Sequence, residues 1–189
     1  MGKTSQKVMY DTPLIRVWEI YDPDDVNIMK GMLFVETLYN KRDSMGPYRY
    51  HIQLNYEFHS MKGCVMSGYF EGGYLDKHVD GHQITLTGGS IILNAPRGLG
   101  IGSLLFCEVA KWAKTYSGID IKTIFLSAFD AKDENNRKRR NRLYERFGIH
   151  MVYDEGEKSG FSLPMKTDDL IINENFLIDQ GGNIRILRV

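Results

Sequence analysis

Residues Asn94–Trp112 read NAPRGLGIGSLLFCEVAKW. Three alternating glycines, Gly98, Gly100 and Gly102, follow an apolar run and open onto a stretch with helical periodicity. Such spacing lets backbone approach backbone, or lets backbone approach a phosphate. The start of a helix presents N–H groups without helical partners and a partial positive charge, which suits an anion. Arg97, just before the first glycine, adds a cation. One glycine suffices for a tight strand-to-helix turn, so three in alternation after an arginine point to phosphate. Two familiar patterns fail on spacing. No lysine follows, as G-x-x-x-x-G-K-[ST] requires, and the run is G-x-G-x-G where a dinucleotide fingerprint is G-x-G-x-x-G. What remains is R-x-x-G-x-G, satisfied by Arg97, Gly100 and Gly102.

A second chemical group lies downstream in DENNRKRRNRLYERFG, where Tyr144 carries a phenol with an ordinary pKa of about 10. The alternative for Tyr144 is packing with Leu143 and Phe147 under a helix. Asn136 and Asn141 can meet amides from the same helix or face solvent. Glu57, Glu71 and His82 are the base candidates on neighbouring strands, and each also reads as structural or solvent-facing. Cys64 and Cys107 lie in apolar segments and read as small buried hydrophobes in a reducing compartment. No zinc-type spacing occurs, so no metal is expected.

The elements that must position these groups follow from periodicity. LIRVWEIY (Leu14–Tyr21) reads as a first strand. Asp22–Asn40 starts Asp-Pro-Asp-Asp and repeats Ile28, Met32, Val35 and Tyr39 at helical spacing, which predicts a helical region, broken near Gly31. Tyr48–His59 alternates Tyr50, Ile52, Leu54, Tyr56 and Phe58 on one face of a strand. MKGCVMSGYFEGG is its hairpin partner, and His82–Asn94 is a third strand bent at Gly88–Gly89. After the glycine loop an amphipathic helix carries Leu105, Val109, Trp112 and Tyr116 and stops at Gly118. Ile121–Phe129 reads as a central strand. A helix then ends at Gly148, and a hairpin follows with Asp154–Gly160 as its loop. The last stretch predicts one more hairpin turning at Gln180–Asn183. The sum is α/β, with a mixed sheet.

RGLGIGSLL resembles the acetyl-CoA-binding loop of the GNAT superfamily of N-acetyltransferases. NRLYERFGI (Asn141–Ile149) is similar to that family's second signature, a helix carrying Leu-Tyr-Glu that ends at Gly before a strand. The resemblance covers roughly residues 10–167 and is sharpest over Leu93–Ile149. It implies a central, mostly antiparallel sheet flanked by helices and splayed beside the loop, in a domain over 1–167, with 168–189 as a C-terminal hairpin extension. It also implies acetyl-CoA as co-substrate. Ile92, Leu93 and Asn94 would pair with the pantetheine arm and polarise the thioester carbonyl. Arg97, Gly98, Leu99, Gly100, Ile101, Gly102 and Ser103 would hold the pyrophosphate, and Asn136 would meet the pantetheine amides. Tyr144 matches the family tyrosine that protonates the departing thiolate. An amine on a small molecule or protein would attack directly, with Asp22–Asn40 and Asp154–Gly160 lining the acceptor side.

The chain departs from the family pattern in two places. The NAP connection to Arg97 is shorter than in many members, and no carboxylate stands on ITLTGGSIILN, where a general base often sits. A non-catalytic binding or assembly module that keeps the loop for CoA is therefore the alternative.

Composition sets the remaining bounds. The chain has 189 residues with 24 basic and 24 acidic side chains, so no global field favours nucleic acid or anionic membrane. The basic run Arg137, Lys138, Arg139, Arg140, Arg142 and Arg146 is the local exception: a patch for RNA, an acidic protein or the CoA 3′-phosphate on one reading, a solvated helix face balanced by Asp130, Asp133 and Glu134 on the other, and the second is preferred. No apolar h-region opens the chain and no stretch reaches 18 apolar residues, which predicts a cytoplasmic protein without a membrane span. The terminal hairpin could cap a sheet edge or pair with a second copy as a homodimer.

Overall fold

The computed structural model describes residues 13–41, 50–78, 81–87, 96–131 and 133–187. Five antiparallel strands come first: β1 (Leu14–Tyr21), β2 (Met29–Lys41), β3 (Tyr50–Ser60), β4 (Val65–His78) and β5 (Gly81–Thr85). Helix α1 (Ile101–Ala113) then crosses to β6 (Asp120–Ile121), which pairs parallel to β5 through Gln83–Asp120 and Ile84–Ile121. Next come β7 (Phe125–Leu126), a 3-10 turn, α2 (Glu134–Arg146), β8 (Met151–Tyr153) and β9 (Gly160–Ser162). β10 (Ile184–Leu187) closes the order. The result is α/β, with one mixed seven-stranded sheet in the order β10-β1-β2-β3-β4-β5-β6 and a separate three-stranded sheet, β7-β9-β8.

The alternation expected of Tyr48–His59 is present. Ile52, Leu54, Tyr56 and Phe58 are buried on one face of β3, and α1 lies on that side, with the Phe106 ring edge-on to Phe70 of β4 at 6.0 Å. α1 is buried on nearly every side, because its other flank meets Tyr144 and Phe147 around α2. Phe106 is the meeting point of the two halves. The α2 boundaries and the β8–β9 hairpin also match the pattern in the sequence.

Four expectations about the elements are corrected. Asp22–Asn40 is not helical: a turn over 22–28 leads into β2, which pairs with β1 and with β3. Its buried residues are Leu33, Val35 and Thr37, at the period of a strand, while half-buried Met32, Phe34 and Leu38 on the other face filled in the run and imitated helical spacing. Ile121–Phe129 is not one strand. The chain leaves the large sheet after Ile121, and the Ile124 N–H donates to Ser162 Oγ (2.9 Å) as β7 joins β9. α1 ends at Ala113, capped by Lys114, so Gly118 terminates the turns after the helix and not the helix itself. The final stretch contributes one strand and not a hairpin: residues 170–183 are irregular with a 3-10 turn, and β10 pairs antiparallel to β1, capping that edge within the chain.

Cys107 is buried as expected, whereas Cys64 is exposed in the β3–β4 turn. The bend expected at Gly88–Gly89 and the strand over Ile92–Asn94 lie outside the described residues. Among the described residues no helix is long and apolar enough to cross a membrane.

Candidate functional site

α1 begins at a turn in which Gly98 and Gly100 adopt left-handed φ values of 85° and 79°, a conformation costly for other residues. The first helical bond is Leu104 N–H to the Gly100 carbonyl (3.0 Å). No side chain caps this helix and its first turn carries no acidic residue. The N–H groups that open any α-helix are without intrahelical acceptors, so this end keeps donor capacity and positive potential.

The glycines differ in what they make possible. A side chain on Gly98 would meet nothing within 4 Å. One on Gly100 would meet Ile184 Cδ1 at 3.3 Å, Asn183 Oδ1 at 3.4 Å and Phe176 Cβ at 3.6 Å. Gly100 therefore serves a close approach between the loop and the C-terminal tail, and Gly98 is the glycine with open space over it. Leu99 is half-buried against the core, and its carbonyl accepts from Asn183 Nδ2 (3.2 Å).

Two predicted binding residues from distant segments meet. The exposed Arg97 guanidinium donates to Asn136 Oδ1, which also accepts from Arg139 Nη2 (2.6 Å). Asn136 sits in the first turn of α2, and its backbone N–H donates to the N-cap carboxylate of Asp133 (2.9 Å). That N–H, with the charges of Arg139 and Arg97, holds Asp133 below the usual carboxylate range. The arrangement brings two guanidinium groups together beside the loop that starts α1. Because its oxygen is engaged by both, Asn136 acts here as the post that orients two cations. Arg139, which the sequence places only within the basic run, is the second cation at this corner. Its spacing of three from Asn136 puts the two on one helix face, which was available as a signal.

Tyr144 is 5% exposed and lies edge-on to Phe106 at 5.9 Å, with Leu143 packed against the core. Phe106 is five residues into α1, about 7.5 Å along the axis from its start, so Tyr144 belongs to the same half of that helix as the glycine loop. The base candidates are elsewhere. Phe70 and the buried β3 residues face α1, so Glu71 and Glu57 stand on the opposite sheet face. Glu71 Oε2 contacts the buried His51 (Nε2, 2.8 Å), and Glu57 contacts His59 (3.1 Å). His82 pairs with Asp76 (3.2 Å) beside Tyr74.

The basic run is largely engaged within the chain. Arg137 donates to the Gly156 carbonyl, and Arg140 to the carbonyls of Ser127 (2.8 Å) and Lys158 (3.0 Å). Lys138 pairs with Glu134 (2.7 Å). Arg137 and Arg140 thus tie α2 to the β8–β9 loop. Cys107 lies in the core, where burial pushes its thiol up to about 12, so it offers no nucleophile. Among the described residues no group of three or more His, Cys, Asp or Glu is placed to hold a metal ion. Compared with family models, with curated proteins and with solved structures, the chain matches none.

Proposed function

We propose that the protein is an N-acetyltransferase that binds acetyl-CoA at the start of α1 and transfers its acetyl group to a primary amine. The observation that carries this reading is the convergence of Arg97 and Arg139 on Asn136 beside an uncapped helix start reached through left-handed Gly98 and Gly100. Uncommitted N–H donors together with guanidinium groups fit a polyanion such as a pyrophosphate. The GNAT resemblance of Arg97–Ser103 and Asn141–Ile149 supplies the identity of that polyanion. Acetyl-CoA, when bound, supplies an activated thioester carbonyl. The loop backbone from Gly98 to Ser103 holds its phosphates, and the backbone of Ile92–Asn94 aligns its arm. The acceptor nitrogen attacks the carbonyl carbon, the C–S bond breaks, and Tyr144 gives its phenol proton to the thiolate. An α-amine titrates near pH 8 and so reaches the site partly uncharged; the proton its nitrogen releases on forming the amide passes to water, and the Tyr144 phenolate is reprotonated from solvent.

A second reading has one observation in its favour. Residues 22–40, expected to wall the acceptor side with helix, form a turn and a sheet strand. A module that binds CoA without transferring acetyl needs no such wall.

Calorimetric titration of acetyl-CoA into the wild type and into Arg97→Glu tests the site. Arg97 is exposed, so the variant is expected to fold and to bind at least tenfold more weakly. Absence of binding by the folded wild type overturns the coenzyme reading. Binding with no thiol released across a panel of amines selects the second reading. Thiol release that falls in Tyr144→Phe, with unchanged acetyl-CoA affinity, supports transfer with Tyr144 as the acid.

A further inference from the structure

The glycine loop is held from behind by a part of the chain beyond the two signatures. The tail, residues 170–187, runs past the loop and reverses through Gly181, Gly182 and Asn183 before entering β10. Gly181 is left-handed, with φ 82°. At Gly182 a side chain would collide with the backbone of Phe176 and Asn175, so only glycine fits. This reversal lets the Phe176 carbonyl accept from two successive N–H groups, Asn183 (3.0 Å) and Ile184 (2.9 Å). The turn delivers the Asn183 side chain, 7% exposed, into the space between β1 and the glycine loop.

The Asn183 amide nitrogen donates to the last carbonyl of β1, Tyr21 (2.8 Å), and to the Leu99 carbonyl (3.2 Å). The Asn183 carbonyl accepts from Tyr21 N–H (2.8 Å), which fixes the same residue to the sheet a second time. Gly100 then packs against Ile184, Asn183 and Phe176. One buried amide therefore links the end of β1 to the residue that precedes the N-cap of α1.

We propose that the C-terminal tail is an intrachain clamp on the glycine loop and that Asn183 is its positioning residue. It holds Leu99 and Gly100 in the conformation that aims the first N–H groups of α1 outward. The inference deepens the acetyl-CoA reading and rests on it for the ligand, while the clamp itself is read from the loop directly. Preorganised donors bind an anion without the cost of ordering them at the moment of binding, so loosening the clamp weakens binding without removing any group that touches the ligand.

The test combines hydrogen exchange with calorimetry on the full chain, in Asn183→Ala and in Asn183→Asp. In Asn183→Ala, protection of the Leu104 N–H, which donates to the loop carbonyl of Gly100, is expected to fall at least tenfold while Ile52–Phe58 of β3 keeps its protection, and acetyl-CoA affinity is expected to fall about tenfold. Should the alanine variant not fold, Asn183→Asp keeps the shape and decides the matter. Its carboxyl donates to the Leu99 or Tyr21 carbonyl only when protonated, and burial among acceptors raises its pKa. Leu104 protection, corrected for intrinsic rates, is therefore present at low pH and lost as pH rises through that raised value. A side chain that merely fills space gives no such pH profile. Unchanged Leu104 protection in either folded variant overturns the clamp. Loosening of the loop in a protein whose wild type does not bind acetyl-CoA supports the clamp and overturns the ligand.

Discussion

The two ends of α1 are built on opposite principles. At its C-terminal end every kind of partner is supplied by the chain. Lys114 Nζ donates to the carbonyls of Asp168 (2.8 Å) and Leu170 (2.7 Å). The Asp168 carboxylate accepts from Ser117 Oγ (3.0 Å) and Gly118 N–H (2.8 Å), and Thr167 Oγ1 donates to the Tyr116 carbonyl (2.5 Å). Trp112, Tyr74 and Tyr50 surround the Tyr116 ring with centroids 5.1–6.1 Å away, and burial pushes its phenol up to about 12. The N-terminal end has no side-chain cap, two left-handed glycines and two arginines oriented by Asn136. A helix end closed by its own chain is a structural joint. An end that keeps its donors and gathers cations is the end on which the proposed acetyl-CoA site rests. The tail serves both, binding Lys114 through Leu170 at one end and Leu99 through Asn183 at the other.

The largest effect expected from breaking this contrast is at the closed end. Trp112 is buried and edge-on to Tyr116 at 5.3 Å. Trp112→Ala is expected to cost about 3–5 kcal/mol by leaving a large cavity, read as a fall in the urea midpoint. The fraction that stays folded should bind acetyl-CoA with wild-type affinity. A binding defect as large as that of Arg97→Glu would break the division of labour between the two ends.

How much of this was legible in the chain depends on the range of the interaction. β1, the alternation in β3 and the α2 boundaries follow from residues within a few positions of one another, and all three match. The glycine loop is also local, and left-handed Gly98 and Gly100 agree with its pattern. β2 was misread because a strand buried on one face and half-covered on the other loses its alternation. Met32, Phe34 and Leu38 put apolar residues on the face opposite Leu33, Val35 and Thr37, and helical and strand periods fit equally well. Only pairing with β1 and β3 decides it. Asn183 was illegible for a stronger reason. Its partners Tyr21 and Leu99 are 162 and 84 residues away, and a Gly-Gly-Asn turn looks the same whether it closes a hairpin or delivers an amide to a loop.

A smaller effect is expected from Gly100→Ala at the open end. The new methyl must adopt a left-handed φ and press on Ile184 Cδ1 at 3.3 Å and Asn183 Oδ1 at 3.4 Å. The strain is expected to cost about 1–3 kcal/mol, less than the cavity at Trp112. Its signature should be the reverse of Trp112→Ala: a modest fall in the urea midpoint, accompanied by a loss of acetyl-CoA affinity that persists in the fully folded protein. Equal affinity in the two variants would mean that loop geometry does not matter to binding.

The smallest effect concerns Cys107, which lies between the two ends and reports on both. Burial holds its thiol at about 12, so at pH 8 almost no thiolate exists in the folded state and alkylation should reach only the exposed Cys64. Cys107 reacts when the chain opens. At pH 8 its labelling rate should rise roughly tenfold for each 1.4 kcal/mol of lost stability where reclosing is fast, putting Trp112→Ala well ahead of Gly100→Ala. The pH dependence has a definite sign. The folded state holds the proton that an unfolded thiol releases from about pH 9, so this group's stabilisation is complete below pH 9 and declines as pH rises towards 12. Cys107→Ala should flatten that part of the alkaline limb in urea titrations, leaving the part due to Tyr116 and Tyr153. Rapid labelling of Cys107 in the unmodified protein at pH 8 would show α1 to be open along its length, and the contrast between a sealed end and a receptive end would then be one of degree.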